Sequence, residues 1–261
     1  MQGMPKPDVA LPGLRPPDVA LPGLRPRLRA SALVTLVLAL VVALTAGCSL
    51  ISRFTGDEDT GGPLPEPAPL LQQGAQATRN LSSVHLDIEV TGQIKELPIK
   101  TLSGELTNKP AVAAKGTANL IVAGSDAEVD FVVIDGTLFA ALTPNKWIDF
   151  GPAAEIYDVS AILNPDTGLA NVLANFIDPK SDGRETIDGV KTIRITGDVT
   201  LDAVNKIAPQ LGATGPVAGT AWIREDGNHD LVRAKLQPTE SNSLQMTLSN
   251  WDAPVTVTKP M

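Results

Sequence analysis

Between residues 84 and 91 apolar and polar side chains alternate without a break, with Val84, Leu86, Ile88 and Val90 set against His85, Asp87, Glu89 and Thr91. A period of two is that of a strand with one buried face. The signal returns at 99–107, 112–123, 127–134 and 137–143, then at 184–188, 190–198, 217–225, 231–237, 243–250 and 254–258. Asp135-Gly136 marks a tight hairpin turn between two of these runs. About ten or eleven short strands at hairpin-length spacing predict one large antiparallel sheet.

Helical spacing interrupts the alternation. Leu70, Leu71, Gly74, Ala75, Thr78 and Leu81 predict a first amphipathic helix running from about Pro67 to Ser82. Residues 155–163 and 166–178 predict two more, the second with Leu169, Val172, Leu173 and Phe176 on its apolar face. Thr200 can cap a further helix carrying Leu201, Val204 and Ile207. Three or four helices against one curled sheet give an α+β domain.

The first part of the chain follows neither period. Residues 7–16 and 17–26 are the same ten-residue, proline-rich string, which can neither form a helix nor bury a core. It is either an extension without a role or the mark of a start codon placed too early. Arg25, Arg27 and Arg29 then precede the uncharged run Ala30 to Ala46, the layout of a secretory signal. These seventeen uncharged, mostly apolar residues could also just span a bilayer as an uncleaved anchor. The ending Leu44-Thr45-Ala46-Gly47-Cys48 argues for cleavage, because it resembles a bacterial lipobox in which the cysteine is acylated. Thr45 departs mildly from the usual Leu or Val. Two or more acyl chains on Cys48 would suffice for stable membrane attachment. Residues 49–69, rich in Gly, Pro and acid, read as a flexible leash. The expected organisation is a basic, repeat-bearing extension (1–29), the signal run and lipobox (30–47), Cys48 with its linker (48–66), and one folded domain (67–261).

Composition narrows what that domain can be. Hydrophobic residues make up 43% of the chain, ample for a packed core. One cysteine leaves no intramolecular disulfide framework. Removing residues 1–47 takes away Lys6, Arg15, Arg25, Arg27 and Arg29 but only Asp8 and Asp18, leaving 16 basic against 27 acidic residues. That balance has the wrong sign for nucleic acid or an anionic lipid surface. Any residence at a membrane therefore depends on the tether. Asp57-Glu58-Asp59 opens like a calcium loop but has Ala68 where the bidentate glutamate belongs.

No catalytic motif stands out. There is no nucleophile elbow, phosphate-binding glycine loop or paired-histidine zinc motif. His85 falls on a polar strand face beside Asp87, His229 lies in a turn, and Asp126 and Glu128 read as solvated. No cofactor is implied. The nine aromatics leave the interior to Val, Leu, Ile and Ala. That is either an ordinary aliphatic core or a partly unfilled interior suited to long acyl chains.

The strings GGPLP (61–65), KTLSGEL (100–106), DFVVIDG (130–136), LTPNKWIDFGPAAEIYD (142–158) and LNPDTGLANVLANF (163–176) closely resemble the LppX/LprA/LprF/LprG family of mycobacterial lipoproteins. The likeness runs from about residue 61 to Pro260. It implies a half-barrel antiparallel sheet with helices on its concave side, similar to the carriers LolA and LolB, enclosing a large apolar cavity. It further implies binding of triacylated lipids: phosphatidylinositol mannosides, lipomannan, lipoarabinomannan and triacylglycerol. Transport would run from the inner membrane outward with a major-facilitator efflux transporter, and the acylated N-terminus would be a Toll-like receptor 2 agonist.

Strand parity nominates the cavity wall. Ala118, Leu120 and Val122 share one face, as do Val129, Phe131 and Val133, and Leu138, Ala140 and Leu142. For each, ordinary core packing is the competing reading. Lys115 and Asn119 are candidates for touching a head group. The competing function is a surface adhesin or transporter accessory in which any cavity is incidental.

Overall fold

The computed structural model describes residues 62–122 and 124–261. The repeat, the apolar run, Cys48 and the acidic stretch around Asp57 lie outside the described residues. Helix α1 (Pro67–Asn80) leads into β1 (Ser83–Thr91), β2 (Ile99–Thr107), β3 (Ala113–Val122), β4 (Ser125–Ile134), β5 (Thr137–Ala141) and β6 (Ile148–Pro152). A helical turn at Ala153–Glu155 and the short helices α2 (Ser160–Leu163) and α3 (Leu169–Ala174) follow. Then come β7 (Phe176–Ile187), β8 (Val190–Val199), α4 (Leu201–Ile207), a turn at Pro209–Leu211, β9 (Val217–Arg224), β10 (Leu231–Thr239) and β11 (Asn242–Ser249).

All eleven strands join one antiparallel sheet in the order β6-β5-β4-β3-β2-β1-β11-β10-β9-β8-β7. Its edge strands β6 and β7 do not pair, so the sheet stays open, and the twist summed over so many strands curls it into a half-barrel. The helices lie on the concave face. Asp135-Gly136 and Asp188-Gly189 adopt positive φ (52° and 74°, 48° and 81°), the backbone that a two-residue hairpin of this twist requires.

Helix α1 opens with proline at its first turn, where the missing N–H costs nothing. It buries Leu70, Leu71, Gly74, Ala75 and Thr78 against α3 and strands β7, β9 and β10. Helix α4 starts at Thr200, whose hydroxyl accepts from Ala203 N at 3.4 Å. Val204 and Ile207 of α4 are buried, as are Ile193, Ile195, Ala221, Ile223 and Leu231 of the sheet. The main core thus sits under the β7–β11 half. On the outer face Ile187, Trp222 and Val232 form a second, smaller cluster with Trp251 against it. Trp222 Nε1 donates to Glu185 at 2.7 Å and Arg233 lies over its ring.

Three departures from the sequence pattern have physical causes. The helix expected over 166–178 stops at Ala174, and Phe176 begins β7 instead. Its ring fills the space over Gly197 and Gly219, which offer no side chain of their own, and the Asp178-Pro179 step forbids helix beyond it. Strand β6 lies outside the alternating pattern, because five residues holding Gly151 and Pro152 show no clean alternation. Conversely, 254–258 is not a strand. The tail from Ala253 to Lys259 crosses the strands on the outer face: Ser83 Oγ donates to Ala253 O, Lys115 Nζ to Thr256 O, and Lys259 lies over Phe139. Pro254 removes a backbone donor from a ladder that the crossing direction does not allow anyway.

The tail is fastened at Asp252, whose carboxylate accepts from Ser82 N (2.8 Å) and Oγ (2.6 Å). The Ser82 hydroxyl, ahead of the backbone N–H and Lys109, holds this carboxyl below its ordinary value. A lowered folded-state pKa stabilises the fold above the unfolded pKa near 4. That contribution is lost as the pH falls through the folded value. Asp252→Asn keeps an acceptor oxygen and tolerates the positive φ of 56°, so it isolates the charge. At pH 7 it should cost about 0.5–1 kcal/mol, roughly 1–4 °C in Tm. Paired thermal melts should converge once the pH is below the folded-state pKa of Asp252.

Candidate functional site: an apolar cavity

The two halves of the concave face differ in what covers their small residues. Under the helices, β8 to β10 present Ile193, Ile195, Ile223 and Leu231. Across β2 to β5 the same face carries Gly104, Ala114, Gly116, Ala118 and Ala140. Gly104 pairs directly with Gly116, and Gly116 with Phe131. On the β7–β10 side the Phe176 ring fills the space over the Gly197–Gly219 pair and helices α1 and α3 pack above it, while the β2–β5 side is left to the segment 153–163 and the end of α4. Small side chains below and a short cover above leave a cavity of about 430 Å³, within the usual range of small-molecule sites.

The cavity brings together all nine residues that strand parity nominates. Ala118, Val129, Val133 and Ala140 are buried in its wall, and Leu120, Phe131 and Leu138 are half-buried. Val122 and Leu142 are exposed where the cavity opens. Exposure thus rises along β3 from Ala118 to Val122, which fixes the direction from floor to mouth. Leu86, Ile88 and Leu102, with Leu244 and Met246 of β11, extend the wall. They share the parity of the nominated residues, but only the strand order tells which half of the sheet bounds the void.

The roof has no counterpart in the sequence reading. Ala153, Ile156, Tyr157, Val159 and Ile162 come from one segment, Ile207, Ala208 and Leu211 from another. Tyr157 Oη joins the two by donating to Ile207 O at 2.9 Å. Burial, followed by the neighbouring Asp158 carboxylate, pushes the phenol pKa up, so this hydroxyl stays a donor throughout the physiological range.

The lining is otherwise almost wholly aliphatic and aromatic. Glu105 borders it, and its carboxylate pairs with Lys115 Nζ at 3.1 Å. Lys115 and Asn119 are not at the mouth. They alternate with the cavity-facing residues of β3 and lie on the outer face, Lys115 bonded to the C-terminal tail and Asn119 to Thr101 Oγ1. His85 sits between Ser103 Oγ (3.3 Å) and Asp87 (3.6 Å) on that same face. His229 occupies a turn, its Nδ1 3.0 Å from Arg224 O. Asp126 pairs with Lys100 at 2.7 Å. None of these polar groups is brought into the cavity.

A large open antiparallel sheet whose helices close over an apolar cavity offers a lining that suits apolar rather than charged molecules. The chain belongs to the LppX_LprAFG lipoprotein family, whose sequence signature matches residues 66–257. The lipoarabinomannan carrier protein LprG of Mycolicibacterium smegmatis is 55% identical over 86% of this chain and 93% of its own length. LprG of Mycobacterium tuberculosis is 52% identical over 87% and 94%. Among solved structures, LprF of Mycobacterium bovis superimposes with a TM-score of 0.69 at 31% identity, covering 77% of this chain and 99% of LprF. The lipoprotein LppX of M. tuberculosis gives 0.59 at 30%, covering 74% of this chain and 100% of LppX. Among the described residues no helix is long and apolar enough to cross a membrane.

Proposed function

We propose that this lipoprotein carries triacylated glycolipids of the lipoarabinomannan class, including phosphatidylinositol mannosides and lipomannan, and also triacylglycerol. The acyl chains would lie in the cavity and the sugar would remain in water at its mouth. The observation that carries this reading is the apolar cavity that opens between Val122 and Leu142. Exposing one palmitoyl-sized chain to water costs about 12 kcal/mol at about 0.8 kcal/mol per methylene, so such lipids cannot cross an aqueous compartment unaided. A void of 430 Å³ left dry would itself cost on the order of 10 kcal/mol at about 24 cal/mol per Å³, comparable to the stability of a domain. Ligand and protein each relieve the other's exposed apolar surface. The task needs no bond chemistry, and we assign no enzymatic role. Names of relatives as lipoarabinomannan carriers support the cargo class.

In this reading Ala118, Leu120, Val122, Val129, Phe131, Val133, Leu138, Ala140 and Leu142 hold acyl chains. Acylated Cys48 tethers the domain to the outer leaflet of the inner membrane through the linker 48–66. The family resemblance supports a major-facilitator transporter as the partner in export and Toll-like receptor 2 as a host receptor for the acylated terminus.

Native mass spectrometry of residues 49–261 made in a mycobacterial host, followed by organic extraction, tests the carrier reading. Stoichiometric adducts that extract as triacylated lipid are expected. Stripping them should lower Tm by about 5–11 °C, as for a ligand held near 100 times its Kd. A bare mass that stays bare after incubation with glycolipid would move the adhesin or accessory reading to first place.

A further inference from the structure

The cavity does not end flush with the surface. Val122, Leu142, Ile148, Phe150 and Ile156 are all exposed, from 47% for Phe150 to 60% for Ile156. They are five of the eight large apolar residues exposed among the described residues. They come from the end of β3, both sides of the β5–β6 hairpin and the start of the roof. Four of them also line the cavity, and Ile148 stands beside them, paired with Ala140. One apolar surface therefore runs from the cavity floor out over its lip. Half-buried Trp147 lies in the hairpin loop next to the lip, a side chain with an apolar ring and a polar N–H. A contiguous patch of this kind on a protein surface marks a docking site.

We propose that this lip docks onto the acyl region of the bilayer that holds the protein's own lipid anchor. A lipid tail could then slide between membrane and cavity without crossing water. The inference rests on the carrier reading. The tether specifies the bilayer as the occupant. Arg184 on β7 donates to Gly62 O (2.9 Å) and Pro63 O (3.4 Å), and Ser181 Oγ donates to Pro65 O (2.7 Å). The chain from Cys48 is thus gripped at Gly62 after only thirteen intervening residues (49–61), reaching at most roughly 50 Å. The grip lies on the edge strand opposite the lip. Ten strand spacings of about 4.8 Å come to roughly 48 Å if flat and less when curled. The leash therefore lets the lip reach the anchoring membrane and confines the domain close to it. Charge does not drive the contact, since the exposed Asp149, Glu155 and Asp158 beside the lip outnumber the one exposed cation there, Lys146. Docking should therefore need no anionic lipid and should survive salt of about 0.5 M, where surface charges are screened.

The test reconstitutes the full acylated protein in vesicles of phosphatidylcholine brominated along its chains. Tryptophan emission should be quenched, and Trp147→Phe should remove the quenching, because Trp222 and Trp251 sit in the outer-face cluster. Ile148 does not line the cavity, so Ile148→Glu should leave glycolipid loading by native mass spectrometry intact. It should weaken lip docking about tenfold or more, through one lost isoleucine contact and one carboxylate that resists burial. Unquenched Trp147 in a protein that loads glycolipid overturns the docking proposal and spares the carrier reading. So does quenching unaffected by Ile148→Glu, which would report bromolipid inside the cavity. Quenching that appears only when native membrane proteins are co-reconstituted into the bromolipid vesicles overturns it too, in favour of a protein partner. Failure to load in any membrane overturns the carrier reading itself.

Discussion

Ala118→Trp is expected to abolish glycolipid loading while leaving the sheet folded. Ala118 lies between Leu102 and Val129 in one cross-strand row of the cavity wall, 7% exposed. An indole there gains roughly 150–250 Å² of buried surface by projecting into an existing void rather than into packed neighbours. The usual overpacking cost of about 1–3 kcal/mol is then offset by filling the cavity, and Tm should shift little or rise. Native mass spectrometry should find the variant bare, and its melt should no longer respond to lipid. Asn119→Trp is the matching control. Residue 119 points to the outer face, so the same ring one position along should leave loading intact. Normal loading by the first variant at unchanged Tm, or lost loading in the second, would show that the wall is assigned to the wrong face.

That contrast between adjacent residues rests on the period-two pattern, which was the most legible feature of the chain. Alternation along β1 to β5 and β8 to β11 orients each strand's buried face before any tertiary contact is known, because a one-residue slip would turn every side chain over. Thr200 and Asp135-Gly136 were readable for a similar reason: capping and hairpin geometry are local. The roof was not readable. Tyr157 and Ile207 are fifty residues apart, and nothing near either in sequence states that a phenol will bridge to that carbonyl. Phe176 has helical spacing with Val172 and Leu173, yet it packs over Gly197 and Gly219, glycines on two later strands. The lip is not legible in the sequence for another reason. Ile148, Phe150 and Ile156 look like ordinary core residues, and exposure is decided by the absence of a neighbour. Small residues were the most ambiguous signal. A composition poor in aromatics fits an aliphatic core or a void equally well: the Gly197–Gly219 pair is filled by the Phe176 ring, whereas the Gly104–Gly116 pair lies on the face that lines the cavity.

Those two glycines carry the second large effect. They are opposite each other in the β2–β3 ladder, on the face that lines the cavity, and Phe131 on β4 continues the row. A Cβ built on Gly116 would collide with the Ser103 carbonyl oxygen and stand 2.6 Å from the Gly104 Cα. No rotamer change relieves a clash with backbone, so Gly116→Ala must push β2 and β3 apart in the cavity wall. The expected cost is at the upper end of the overpacking range, about 3 kcal/mol, or roughly 6–12 °C in Tm for a domain of this size. Gly215→Ala provides the contrast, because nothing lies within 4 Å of its Cβ direction and its φ is not positive. It should be neutral or slightly stabilising through the unfolded chain. If Gly116→Ala melts with the wild type, the close approach of β2 and β3 is not what shapes the wall. If it melts early yet still loads lipid below its Tm, the glycine pair sets the sheet's curvature without limiting the cavity. The expected result joins the two: an early melt together with weakened loading, because the close approach of β2 and β3 at this glycine pair shapes the wall against which acyl chains would lie.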